Sequence, residues 1–205
     1  MVAECSEPDR IEPYAWDMLS EHQETLLSTK MLEGFLDRAG RYDAENSFFA
    51  EDLSELKASG YLAAPVPESL GGPGLSLAQL VAAQRRLAAY APATALGVNM
   101  HLVWVQVARF LHERDLGGRR TGSLDWVLRD AVAGEIFAFG ISEAGNDAVL
   151  MDAFTTAVPD EGDYLVSGSK VFTTLSPVWT RLGVHAKCET PGQNPELVFG
   201  FVRRD

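Results

Sequence analysis

The sequence predicts an α+β fold, with an N-terminal all-α helical domain followed by a small β-barrel-like domain. Two observations carry this expectation. Apolar residues recur at helical spacing as far as about residue 133. Beyond it, Val, Ile, Phe, Tyr and Thr gather in short runs, with turn signals every eight to twelve residues. The helical runs come first and the strand runs after, which argues against alternating βαβ units. The domains are placed at residues 1–134 and 135–205.

The elements follow in order. A first helix is expected at about 14–39, where Leu19, Leu26, Leu27, Leu32, Phe35 and Leu36 form an apolar stripe and Gly40 supplies a stop. A second is expected at 47–59 from Phe49, Leu53 and Leu56, with Gly60 at the C-terminal cap. Pro- and Gly-dense chain follows. Ser76 and Gln79 form a capping box that opens a third helix, which Pro92 breaks. Residues 93–112 are apolar nearly all round, the pattern of a helix buried within a larger assembly. Ser123 is read as the N-cap of a shorter helix. Strands are expected at 136–142, 153–158, 163–174, 181–187 and 197–202, with a hairpin turn at Pro159-Asp160-Glu161-Gly162.

Composition narrows the function. The 205 residues are 46% hydrophobic and 22% charged, ordinary for a folded protein, and the net charge is -12. Such acidity without any basic run argues against nucleic-acid binding, which needs clustered Lys and Arg on the phosphate backbone. No apolar run is long enough to span a bilayer, and the first residues lack the charged-then-apolar signal pattern. Cys5 and Cys188 are distant and form no CxxC, so two free thiols in a reducing cytoplasm are expected rather than a disulfide framework or zinc site. GxSxG, P-loop, HExxH and helix-opening GxGxxG motifs are missing. The four histidines do not pair at metal-ligand spacing, and His101, on the apolar helix, reads as a core or interface residue.

The informative segments are FGISEAGND (139–147) and VSGSKVFTT (166–174). The first leaves a strand and enters a loop of small residues. Gly145 lets the backbone approach a ligand, consecutive amides in such a turn can cradle a phosphate, and Asn146 adds a donor. A plain turn satisfied by its own Asn and Asp explains the same residues. Taken singly, Phe139 and Phe172 read as ordinary core aromatics of the sheet.

Together with VPESLGGPG (66–74), these segments resemble the acyl-CoA dehydrogenase family. That family has a VPxxxGGxG loop in its N-terminal helical domain. It enters its middle β-domain through an aromatic and a Thr-Glu-Pro stretch running to Asp, then reaches a Gly-x-Lys, aromatic, hydroxyl strand about twenty residues later. Here the counterparts are 139–147 and 168–174. The resemblance covers about residues 53–187 and the rest more loosely.

The resemblance implies FAD as cofactor. It implies that Phe139, Ile141 and Ser142 face the flavin ring, that Gly145 and Asn146 approach the pyrophosphate, that Phe172 stacks beside the ring where the family usually has Trp, and that Thr173 and Thr174 follow with a hydroxyl near its reactive nitrogen. Apolar faces with a few aimed donors suit a flat redox ring. The implied activity is α,β-dehydrogenation of an acyl-CoA thioester in fatty acid or lipid metabolism. Electron-transfer flavoprotein or a similar acceptor would be the partner, and the protein would be a homo- or hetero-oligomer. The loop SEAGND lacks the family's Pro and is about two residues shorter than its usual form. The family's C-terminal four-helix bundle, which supplies the catalytic base, is expected to be absent, so no catalytic residue is assigned and Glu143 is read as structural. Two further readings stay open. One is a flavin-dependent monooxygenase or oxidase of the same fold. The other is a non-catalytic truncated or split subunit that needs a partner.

Overall fold

The computed structural model describes residues 21–116, 124–148, 150–189 and 194–204. Helices come first: α1 (Glu21–Leu26), α2 (Thr29–Glu45), α3 (Ala50–Ala58), α4 (Leu77–Tyr90), α5 (Pro92–Leu116) and α6 (Asp125–Val132). Strands follow: β1 (Phe137–Gly140), β2 (Thr156–Asp160), β3 (Asp163–Ser167), β4 (Arg181–Cys188) and β5 (Glu196–Arg203). Ser123, Cys5, His22's side chain and the first twenty residues lie outside the described residues.

The expected first helix is two. Ser28 turns extended and its hydroxyl accepts the Met31 amide hydrogen, so α2 starts afresh there. Gly40 does not stop it. The helix runs on to Asn46, whose left-handed conformation (φ 48°) turns its amide and that of Ser47 back onto the last carbonyls. The Ser76–Gln79 capping box is present in both directions. α5 starts at Pro92 and is longer than expected. It is not buried all round: Val98, Leu102, Val105 and Ala108 face the core, whereas Leu96, Val103, Val107 and Phe110 are exposed.

Among the described residues the sheet does not close into a barrel. β4 is its axis. β5 pairs antiparallel with its full length, while β1 and β2 pair parallel with successive parts of it, and β3 adds to β2. The β2–β3 hairpin closes through Glu161 (φ 46°) and Gly162 (φ 98°), two positive-φ residues as a two-residue turn between twisted strands requires. The strand expected over 163–174 ends at Ser167. Gly168 passes so close to Thr155 that an added Cβ would lie 2.4 Å from its hydroxyl, and Phe172 has φ 57°, which no strand residue adopts.

Two core clusters join the halves. Leu32, Phe35, Leu56, Tyr61, Leu87, Val98 and Leu102 pack with Ala138 of β1 and Leu175. Trp104, Val105, Val127 and Leu128 pack with Phe137. Each buried Leu, Val or Phe among them contributes about 1.5–3 kcal/mol through burial. The loop 66–74 is closed on itself: the Gly74 amide donates to the Val66 carbonyl at 2.8 Å and the Gly72 amide to Pro67 at 3.2 Å. Arg109 of α5 donates from one guanidinium nitrogen to the carbonyls of Pro65 (3.0 Å) and Leu75 (2.5 Å), tying both ends of the loop to the helix.

Candidate functional site

The residues singled out in the sequence meet where β1 leaves the sheet. Side chains alternate across a strand. Phe139 therefore lies on the α5 face, half-buried, with its ring 5.0 Å from Trp104 and 6.2 Å from Phe199. Gly140 faces the other way, where an added Cβ would meet the Thr173 hydroxyl at 3.4 Å and Lys170 at 3.5 Å. Phe139 and Thr173 thus sit on opposite faces of β1. Ile141 is buried and Ser142 is exposed.

The two motif segments are stitched by one backbone bond, from the Val171 amide to the Ser142 carbonyl at 2.8 Å. Phe172 follows and is 91% exposed in its left-handed conformation. A large aromatic side chain held out of the core on such a backbone is a ready surface for a planar ligand. Gly145 has φ 79° and open space where a Cβ would stand. Asn146 is turned inward. Its amide group donates to Glu143 at 2.8 Å and to the Asp152 carbonyl at 3.1 Å, and its side-chain oxygen accepts from Ala148. The bonds of this side chain match a turn satisfied by its own Asn. Thr174 is half-buried.

Sequence reasoning left Glu143 and Lys170 with minor roles, but the structure centres the region on them. The Glu143 carboxylate accepts from the Lys170 ammonium (2.8 Å), the Thr155 hydroxyl (2.5 Å), the amides of Phe154 (2.7 Å) and Thr155 (2.8 Å), and Asn146. Burial by itself raises its pKa, but the Lys170, Thr155, Phe154 and Asn146 donors outweigh it and hold the carboxyl well below the usual range. Lys170 also donates to the His185 Nδ1 at 3.4 Å, and His185 Nε2 donates to the Asp152 carbonyl at 3.1 Å. Lys170 is half-buried, ion-paired with Glu143 and outside any strand. The Glu and the Lys stood in the motifs themselves. Thr155 and His185 come from segments with no motif, so nothing in the sequence marked them. Lys170, Thr155 and Thr173, with Ser176, Trp179 and Arg204, line a cleft of about 430 Å³ on the far face of β1. Among the described residues, no cluster of His, Cys, Asp or Glu is arranged to hold a metal.

Residues 20–114 match the family described as acyl-CoA dehydrogenase, N-terminal domain. The chain belongs to the acyl-CoA dehydrogenase family. It is 29% identical over 162 residues to a putative acyl-CoA dehydrogenase, YdbM, of Bacillus subtilis (strain 168), covering 72% of this chain and 38% of that one. It is 29% identical over 172 residues to the amino sugar nitrososynthase RubN8 of Streptomyces rubradiris, covering 82% and 39%. Among solved structures it resembles KijD3 in complex with FMN and dTDP-3-amino-2,3,6-trideoxy-4-keto-3-methyl-D-glucose, with TM-score 0.75, 26% identity, and coverage of 91% of this chain and 46% of that one. The chain therefore spans less than half the length of these relatives. Proteins similar to it include acyl-CoA dehydrogenases and nitrososynthases, and KijD3 is solved with FMN bound, which together support a flavin cofactor. The helical half followed by a sheet half is the arrangement of this fold. No described helix is long and apolar enough to cross a membrane.

Proposed function

We propose that this chain forms the helical and sheet portions of a flavin-dependent oxidoreductase that dehydrogenates an acyl-CoA thioester between its α- and β-carbons. Within it, residues 1–134 and 135–205 act as the two domains. The observation that carries the cofactor site is Phe172, an exposed aromatic held by a strained backbone one residue past the Val171–Ser142 bond. Its ring fits one face of a flavin. In this reading, Phe172 stacks on the ring, Ser142, Thr173 and Thr174 aim donors at its polar edge, Ile141 lies beside it, and Phe139 supports β1 from the opposite face against Trp104. Gly145 admits the phosphates, and Asn146 shapes that loop from within. Bound flavin supplies the hydride acceptor for the substrate β-carbon. Glu143 does not serve as the base that takes the α-proton, because its lone pairs are filled by donors and its basicity is depressed. No described residue is assigned as the base that takes the α-proton. FAD, electron-transfer flavoprotein or a similar acceptor, and an oligomeric state belong to this reading.

A second reading, a flavin-dependent monooxygenase, draws support from the likeness to RubN8 and to KijD3 with its bound FMN and amino-sugar nucleotide. One titration separates them. The purified chain is saturated with FAD or FMN, and bound-flavin absorbance is followed as an acyl-CoA or a dTDP-amino sugar is added. A spectral change with acyl-CoA alone supports dehydrogenation. A change with the sugar nucleotide alone supports the second reading. A chain that takes up neither flavin at saturation refutes both.

A further inference from the structure

We propose that the buried Glu143–Lys170 ion pair is a positioning device that sets the Ile141–Ser142 segment against residues 171–173 and so presents Phe172 to the flavin. The flavin part rests on the function proposed above.

The two segments need such a device because the sheet does not hold them. β1 ends at Gly140, β3 ends at Ser167, and the only ladder-like bond between the segments among the described residues runs from the Val171 amide to Ser142. Glu143 directly follows Ser142, and Lys170 precedes Val171. Their side chains are 2% and 9% exposed and meet at 2.8 Å. The Glu143 carboxylate also gathers the amides of Phe154 and Thr155, and the Lys170 ammonium reaches the Ile141 carbonyl at 3.5 Å and His185 at 3.4 Å. One pair therefore ties together three loops and β4, whose His185 stacks on Phe199 of β5.

Energetics favours position over stability as its role. Two charges taken out of water give back in mutual attraction little more than desolvation removes, so an apolar or neutral pair of like shape folds about as well. What such a pair does supply is a fixed geometry, because each remaining donor and acceptor has one place to go. Fixed geometry is needed here. Phe172 has φ 57°, and a bulky residue persists in that conformation only where its surroundings determine it.

The test uses the full chain and three variants: Lys170→Met, Glu143→Gln, and the double variant, which removes both charges. Thermal unfolding, amide hydrogen exchange at Val171 and the dissociation constants of FAD and FMN are measured for each. The double variant is expected to unfold close to the wild type, to lose protection at Val171, and to bind flavin at least about tenfold more weakly, the scale on which supporting residues act on a bound group. Unchanged protection at Val171 in the double variant overturns the proposal, as does wild-type flavin affinity there. A fall in unfolding temperature in the double variant as large as in Lys170→Met overturns it in favour of a stabilising role. If the wild type binds neither flavin yet the double variant loses protection at Val171, the positioning role stands and the flavin reading fails.

Discussion

His101 Nδ1 accepts the Phe137 amide hydrogen at 3.0 Å, while its Nε2 donates to the Leu62 carbonyl at 3.0 Å. The ring is fully enclosed. One neutral imidazole on α5 thereby joins a turn of the helical half to the first residue of β1, the strand that leads into the candidate site. Replacement by Leu fills much of the space but strands an amide and a carbonyl, at a cost of about 1–3 kcal/mol for each group left unpaired. Replacement by Gln, which offers one acceptor and one donor, is expected to recover part of the loss. Chemical denaturation of the three proteins measures both.

The same residue makes stability depend on pH. Burial lowers its pKa from 6.5 to about 4. The folded state therefore prefers the neutral ring, and the unfolded chain binds more protons in between. The contribution is complete above about 6.5 and is lost as pH falls toward 4, for a total on the order of 3 kcal/mol. Glu143, whose pKa is lowered, adds a separate acid loss that begins only below its unfolded value of 4.5. Between about pH 6.5 and 5, unfolding free energy should fall in the wild type and fall less in His101→Gln. Equal slopes in the two proteins would show that His101 is not the group responsible.

Two glycines should respond oppositely to alanine. At Gly72 a Cβ would stand 2.3 Å from both the Cβ and the carbonyl oxygen of Val66, so the closed loop must open to admit it. A loss of about 2 kcal/mol or more is expected. At Gly40, inside α2, a Cβ meets nothing within 4 Å, and Ala removes the helix cost of glycine. A gain of about 0.5–1 kcal/mol is expected there. Melting temperatures decide both.

Much of this was readable in the sequence, for reasons that differ by element. The helix-then-strand order followed from the change in periodicity, and the Ser76–Gln79 box from local chemistry, because both depend on near neighbours. The 163–174 strand failed at Ser167 since its end is set by Thr155, thirteen residues away, pressing on Gly168. The Asn46 cap of α2 was missed because Gly40 offered a more familiar stop. In the candidate site, Phe139 and Phe172 looked alike in sequence. Only tertiary packing separates them, with Trp104 covering one and nothing of that kind covering the other. Of the Glu143 donors, Asn146 lies three residues on in the same turn, but Thr155 and Lys170 arrive from separate segments, so no spacing rule could have gathered them.

Arg109 offers a test of the 66–74 loop. Arg109→Met keeps the apolar stem but removes the donors to Pro65 and Leu75. The loop's own bonds remain, so global stability should fall only modestly, by about 1–3 kcal/mol. Limited proteolysis within 66–74 should accelerate more than cleavage elsewhere. Uniform acceleration along the chain would mean that Arg109 supports the fold as a whole and not this loop.

Phe172 sets stability against function within one residue. Its side chain is 91% exposed, so removing it forfeits almost no burial, and its φ of 57° costs a bulky residue about 1 kcal/mol that glycine avoids. Phe172→Gly should therefore unfold at the wild-type temperature or above it. If Phe172 stacks on flavin, the same variant should bind FAD or FMN about tenfold or more weakly, since an aromatic stack of this kind carries on the order of 1–3 kcal/mol. Phe172→Trp, which restores the family's usual residue with a larger ring, should bind at least as tightly as the wild type. A glycine variant that melts lower than the wild type would place the side chain in the core of the folded protein. One that melts higher but binds flavin unchanged would leave the fold intact and remove Phe172 from the cofactor site.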